Sequence, residues 1–366
     1  MEFIYESHPQ RVRLKSGGAA EGLRAEVEIA DAQRVMVVAA AAEEQLADEI
    51  TAGLPVALRW NEVVMHVPVE VAERARAAAK SADVDLLVSV GGGSTTGLAK
   101  AIALTSGVPI VAVATTYAGS EATNVWGLTT GTKKTTGVDG AVLPRCVIYD
   151  AALTTTLPVE MSVASGLNAL AHCIDSMWAA NQNPVADALA AEGIRALATG
   201  LPQVVAEPHG LAGREHALYA AYLSAVSFSS AGGGLHHKIC HALGGKYNLP
   251  HAQTHAVVLP YVLAFNGGSA LAAERRIAGA LGSATAVDGL ASLYKALDAP
   301  HALRDYGFEQ SEFAAAAGAI LPSVPPSNPR LVTAKDLEQL LAAAWEGADP
   351  HILSEPQATL KAEVIR

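Results

Sequence analysis

Over its first 150 or so residues the chain alternates short apolar runs with alanine-rich helical stretches, and that alternation leaves few folds open. Residues 34–38, 55–60, 84–90, 109–114 and 146–150 read as strands, and residues 43–51, 69–82 and 95–106 read as helices set between them. Strands such as Arg34-Val-Met-Val-Val and Val84-Asp-Leu-Leu-Val-Ser-Val are near-continuous in apolar residues. A strand of that kind is buried on both faces, as in a parallel sheet covered by helices on each side. After about Thr155 the β-branched runs give way to helical periods over 162–179, 184–199, 211–231, 235–245, 251–265, 269–282, 287–297 and 334–346. The expected architecture is an α/β domain over 1–155 followed by an all-helical domain over 156–366, with the site in the cleft between them. Pro322–Pro329 reads as a rigid connector, and no internal repeat is evident.

Composition narrows the function. The chain has 366 residues, enough for two cores, and alanine and valine fill the interior because aromatics are only 5%. A formal charge of −11 and a pI near 5.5, with no basic stripe, exclude nucleic acid as a partner. No apolar run approaches the ~18–20 residues of a membrane span, and the N-terminus shows no signal-peptide core. Cys146, Cys173 and Cys240 are dispersed, which suits a reducing cytoplasm better than a disulfide framework; Cys240 reads as small core filler.

Ser89-Val90-Gly91-Gly92-Gly93-Ser94 follows a strand and opens a helix. Glycines there let the backbone approach a pyrophosphate, and the helix N-terminus favours its charge, so the first domain is expected to be a Rossmann-like dinucleotide-binding unit. The spacing is not G-x-G-x-x-G. Candidate cofactor contacts are Gly91, Gly92, Gly93, Ser94 and Thr95, with Thr115, Thr116, Tyr117 and Ser120 from the loop that ends the next strand. Tyr117 is expected either to pack on the cofactor, to touch substrate, or simply to fill the core. After the 34–38 strand the chain runs Ala39-Ala-Ala-Ala, and Glu43 comes late. Neither an acidic ribose selector nor an arginine for a 2′-phosphate stands out, so NADH and NADPH both remain, NADH first.

Twelve histidines occur, and five of them fall at 236, 237, 241, 251 and 255, with His172 on the first long helix of the second half. His237 and His241, and again His251 and His255, stand four apart and share a helical face. Burying so many imidazoles is costly unless each finds a partner, which marks a site. His8, His66, His209, His216, His301 and His351 are isolated and read as ordinary residues.

Taken together, the Gly91–Ser94 loop, the Thr115–Thr123 loop, Asn168-Ala-Leu-Ala-His172, His237, His241 and Pro250-His251 resemble the iron-containing (group III) alcohol dehydrogenase superfamily over nearly the whole chain. The segments 91–100, 115–121, 165–172 and 236–245 resemble its maleylacetate-reducing branch. The resemblance implies a dehydroquinate synthase-like architecture and often a homodimer, for which the alternating Phe3, Tyr5, Val12, Leu14 segment would supply an edge strand. Two departures matter. The metal-using dehydrogenases carry a carboxylate where this chain has Asn168, and usually an aspartate where it has Gly97. Asn168, His172, His237 and His251 therefore form a degenerate site at which no metal is expected, although three histidines could hold zinc in an open site.

The implied reaction is reduction of maleylacetate, a small dicarboxylate enone, to 3-oxoadipate in bacterial degradation of aromatic compounds. Its conjugated double bond accepts hydride without a Lewis acid on a lone carbonyl. His241 and Lys238 are expected to handle the enolate and the proton, and His172, His237 and His251 to donate to substrate oxygens, with protonated imidazoles attracting the dianion. Lys238 has a plain alternative as a solvated helix residue. The rivals are a metal-dependent alcohol dehydrogenase, against which Asn168 argues, and a dehydroquinate synthase-like lyase, against which the scarcity of lysine and arginine near the histidines argues.

Overall fold

The computed structural model describes residues 2–131 and 133–354; the tail of the expected helical domain, 355–366, lies outside the described residues. The strands are β1 (Arg11–Leu14), β2 (Val35–Val38), β3 (Val56–Trp60), β4 (Leu86–Gly91), β5 (Ile110–Ala114), β6 (Val125–Thr130), β7 (Lys133–Val138) and β8 (Cys146–Tyr149). Six of them form one parallel sheet in the order β3-β2-β4-β5-β8-β1, while β6 and β7 pair as an antiparallel hairpin. Helices α1 (Ala19–Ala30) and α2 (Glu44–Ile50) cover one face, and α3 (Val69–Ser81) and α4 (Gly93–Ser106) the other. The two-residue period of a strand explains the unbroken apolar runs. In β2, Val35 and Val37 join the cluster of Leu23 and Ile50, while Met36 and Val38 join that of Ala72 and Leu98.

β1 sits at the sheet edge and is pinned by charge. Arg11 and Arg13 reach the buried carboxylate of Glu26 on α1 at 2.7 and 2.8 Å. The helical half follows as α5 (Val159–Ser176), α6 (Pro184–Ala206), α7 (Leu211–Ala231), α8 (Leu235–Tyr247), α9 (His251–Gly267), α10 (Leu271–Leu281), α11 (Ala286–Leu297), α12 (Phe313–Ile320) and α13 (Ala334–Glu346). Its core is built around α5 and α9, which bury Leu167, Leu170, Ile174, Val258, Leu259 and Val262. Among the described residues no helix is long and apolar enough to cross a membrane.

The pattern read from sequence misses α1, α12 and the β6–β7 hairpin. The hairpin strands, Val-Trp-Gly-Leu-Thr-Thr and Lys-Lys-Thr-Thr-Gly-Val, carry little apolar alternation because β6 is only partly covered. α5 also begins three residues earlier than expected, directly after Pro158. Arg214 on α7 joins the two halves. Its buried guanidinium donates to the carbonyls of Thr154, Leu157 and Pro208 and to the Tyr117 hydroxyl.

α6 and α7 approach so closely that a Cβ at Gly213 would lie 2.8 Å from both the Gly200 carbonyl oxygen and the Val204 amide nitrogen. Backbone cannot move aside as a side chain can, so Gly213→Ala is expected to destabilise the protein by about 1–3 kcal/mol through overpacking. A lowered thermal unfolding midpoint in the variant checks this, and an unchanged midpoint contradicts it.

Candidate active site

The carboxyl ends of β4 and β5 carry the two loops singled out by sequence. Gly91 closes β4 at φ +151°, and a Cβ there would meet Thr95 Oγ1 at 2.5 Å. Gly92 precedes α4 without any side-chain cap, so the first amides of the helix face outward with no internal acceptor. A Cβ on Gly92 would come within 3.0 Å of Thr116 Cγ2. The notch is therefore one that only glycine leaves open, and its free amides and helix dipole suit a phosphate; the residues fit a dinucleotide. Thr115 lies alongside, its amide donating to the Gly91 carbonyl at 3.2 Å.

Lys100, the last residue of the Gly91–Lys100 segment, proves to be structural. Its ammonium is buried and donates to the carbonyls of Ser120 (2.6 Å), Thr123 (2.7 Å) and Val125 (2.8 Å) and to Thr123 Oγ1 (3.0 Å). Burial pushes it down to about 7. The glycine-loop helix thereby grips the threonine loop, with buried Glu121 beside it accepting from the Tyr149 hydroxyl at 2.7 Å. Tyr117 is a correction to the expected cofactor contacts. Its ring is fully buried, and its hydroxyl is engaged by Arg214 at 3.2 Å, so it belongs to the junction between the halves.

The helices bring the histidines together. His172 (α5) stacks on His237 (α8) with centroids 5.0 Å apart, His237 lies 5.9 Å from His241, and His251 (α9) lies 4.4 Å from His255. Phe228 of α7 packs on both His172 and His237, at 4.8 and 4.3 Å. Gly119 of the threonine loop completes the wall, since a Cβ there would stand 3.6 Å from His172 Nδ1.

Sequence reasoning overlooked Asp175. Its buried carboxylate accepts from Trp178 Nε1 (3.0 Å), the amides of Gly234 (2.6 Å) and His237 (3.3 Å), and His237 Nδ1 (2.7 Å). The bond to Nδ1 makes that nitrogen the protonated one, which leaves His237 Nε2 a lone-pair acceptor. Burial holds His172, His236, His237 and His255 well below the usual imidazole range, and neighbouring imidazoles add to the effect. This corrects the expectation of protonated imidazoles: these rings are neutral, and His237 spends its one N–H on Asp175. The charge of Lys238 adds to the depression of His237.

Asn168 Oδ1, His172 Nδ1 and His237 Nε2 are buried without hydrogen-bond partners, so acceptors are available. His172, His237 and His251, however, do not bring their ligand nitrogens within 4.8 Å of one another. Asn168 adds no negative charge. Among the described residues, the one group of three His, Cys, Asp or Glu whose ligand atoms lie within 4.8 Å of one another is His236, Cys240 and His255. That trio is already hydrogen-bonded to itself, with His236 Nε2 at 2.9 Å from His255 Nδ1 and 3.6 Å from the Cys240 sulfur. Burial keeps its thiol protonated by raising it well above the ordinary range. The positions equivalent to the metal ligands thus do not fit a divalent ion in this arrangement.

A cavity of about 270 Å³ opens between the halves, walled by Cys240, His241, Lys246, Asn248 and His251 on one side and by His66 and Thr129 on the other. His66 was read as isolated in sequence; only folding brings it opposite the histidine helices. His66 and Val67 both have left-handed backbone, at φ +65° and +50°, a cost of about 1–3 kcal/mol each.

A family model described as "Iron-containing alcohol dehydrogenase" matches residues 9–151, and one described as "Fe-containing alcohol dehydrogenase family, C-terminal" matches residues 162–345. A maleylacetate reductase of Sphingobium indicum is 42% identical over 96% of this chain and 99% of its own. Among solved structures, an iron-containing alcohol dehydrogenase from Corynebacterium glutamicum is 59% identical with a TM-score of 0.95, covering 97% of this chain and 99% of its own. The maleylacetate reductase of Rhizobium sp. strain MTP-10005 is 40% identical with a TM-score of 0.90, covering 95% and 99%.

Lys100→Met would leave three buried carbonyls without their donor. The expected loss is about 3 kcal/mol of stability, together with weaker nucleotide binding as the threonine loop loosens. Thermal denaturation and fluorescence titration with NADH check the two effects, and wild-type behaviour in both contradicts the assignment.

Proposed function

The chain belongs to the iron-containing alcohol dehydrogenase family, and from that premise we propose that it reduces the carbon–carbon double bond of maleylacetate to give 3-oxoadipate, with NADH or NADPH as the reductant. The observation that carries this reading is the near-full-length match, at 39–43% identity, to several relatives named maleylacetate reductase. The site agrees with it. Asn168 in place of a carboxylate, and imidazole nitrogens that do not gather around one point, suit a conjugated substrate better than an alcohol that needs a Lewis acid.

Bound in the Gly91–Ser94 notch, the reduced nicotinamide cofactor supplies the hydride. The remaining work falls to the side chains around the cavity. Addition of hydride to the carbon β to the ketone places charge on the enolate oxygen, and the α carbon must then gain a proton. His241, exposed on α8 and lining the cavity, is assigned as the proton donor. His172 and His251 are donors to substrate oxygens, while His237 is held in place by Asp175. Phe228 and the threonine loop keep water from the stacked pair. With the buried imidazoles neutral, attraction for the dianion rests on Lys246 in the cavity wall.

NADH is the preferred reductant in this reading. Glu43 lies in the short turn after β2, and its buried Oε2 has no hydrogen-bond partner. A carboxylate so placed suits ribose hydroxyls and repels a 2′-phosphate. No metal is required. A homodimer formed along the outer edge of β1, near the exposed Phe3 and Ile4, is the expected assembly.

NADH oxidation with maleylacetate is expected to proceed equally with and without EDTA, and a simple alcohol is expected to give no comparable rate. Activity lost to the chelator would overturn the metal-free mechanism, and no activity on maleylacetate would overturn the substrate. His241→Ala should lower kcat by about 10²- to 10⁴-fold with NADH binding retained. Near-normal turnover in that variant would remove His241 from its role.

A further inference from the structure

His66 and Val67 are the one pair of consecutive non-glycine residues with left-handed backbone among the described residues; the others are single Asp or Asn residues. For the β-branched Val67 this conformation is a strong outlier, and strain of that kind persists only where its surroundings enforce it. Here they do. Thr129 of the β6–β7 hairpin donates its hydroxyl to the His66 carbonyl at 2.8 Å and its amide to the Val67 carbonyl at 3.1 Å. The Val67 side chain is buried against α4, where a Cβ on Gly97 would lie 2.9 Å from Val67 Cγ2. Gly97 and the strained turn therefore form one unit: the room that a side chain would take at 97 is where Val67 sits. The turn delivers His66 to the cavity, facing His241 and His251.

The cavity itself is adapted to an anion. The chain has 36 acidic residues and a net charge of −11, yet no carboxylate is among the residues lining this cavity. Its polar groups are the imidazoles, the Thr129 hydroxyl, the Asn248 amide and the Lys246 ammonium. We propose that His66 is a substrate-recognition residue: it is the contribution of the nucleotide-binding half to a dicarboxylate subsite, and Gly97 is retained to seat the turn that carries it. This rests on the maleylacetate reading, which supplies the two carboxylates.

The test compares wild type with His66→Ala, His66→Gln, Gly97→Ala and the double variant Gly97→Ala/Val67→Ala. Loss of a hydrogen bond to a charged oxygen should raise KM for maleylacetate about tenfold or more in His66→Ala, while Kd for NADH, from fluorescence titration, stays within about twofold. His66→Gln, which keeps a donor, should recover most of the loss. Gly97→Ala should raise KM by displacing Val67, and the double variant should fall back toward wild type. Calorimetry with adipate, an unreactive six-carbon dicarboxylate, reads the subsite without turnover, and His66→Ala should weaken that binding to the same degree. The proposal is overturned if KM and adipate binding in His66→Ala match wild type, or if Kd for NADH rises in step with KM. Wild-type enzyme inactive on maleylacetate but binding adipate through His66 would instead defeat the substrate reading and leave the subsite standing.

Discussion

The Asp175 carboxylate holds the histidine cluster of this protein together. Set at the end of α5, it accepts two backbone amides from the start of α8, the Trp178 indole and the His237 imidazole. A carboxylate in the interior is tolerable only when its lone pairs are this fully engaged. The same bonds fix the angle at which α8 leaves α7, the tautomer of His237 and the direction in which Nε2 faces. His172 then stacks on that ring, Phe228 closes over both, and His241 is carried one turn further along α8 to the cavity.

A second buried charge connects this assembly to the nucleotide-binding half. Lys100 begins on the helix that opens at the glycine loop and ends among the carbonyls of the threonine loop. That loop presses Gly119 against His172. The N-terminus of α4, where a phosphate would bind, and an imidazole on α5 are thus separated by one helix, one ammonium and one loop, each held by hydrogen bonds rather than by flexible chain. Arg214 repeats the arrangement at the back of the junction, where it occupies Tyr117. Placing reductant and substrate requires such rigidity, since small misplacements of reacting groups cost rate steeply.

Chemistry confined to a short stretch of chain was legible in the sequence. The glycine notch announces itself because strand, glycines and helix are contiguous, and the i, i+4 histidines announce a helical face. Asn168 was legible as a departure only through the family resemblance, which places a carboxylate at that position. Asp175 was not, because its partners come from 234 and 237 and nothing local marks it as different from any other aspartate. His66 stood alone in sequence for the same reason: the hairpin that holds its turn is sixty residues away, and the hairpin itself has too little apolar alternation to be read. For Tyr117 the sequence left cofactor contact and core packing both open, and only the helix carrying Arg214, laid over it, decides for packing.

The sequence by itself determined the layers: buried parallel strands are near-continuously apolar, amphipathic helices repeat every three to four residues, and both patterns are set by backbone geometry over a few residues. It also determined the chemical inventory of the site. Tertiary structure alone decided the state of that inventory. Whether an imidazole is charged, which of its nitrogens carries the proton and whether three of them converge on an ion depend on burial and on groups distant in the chain. Those terms arise from desolvation and from hydrogen-bond geometry in three dimensions, which no local pattern of residues encodes.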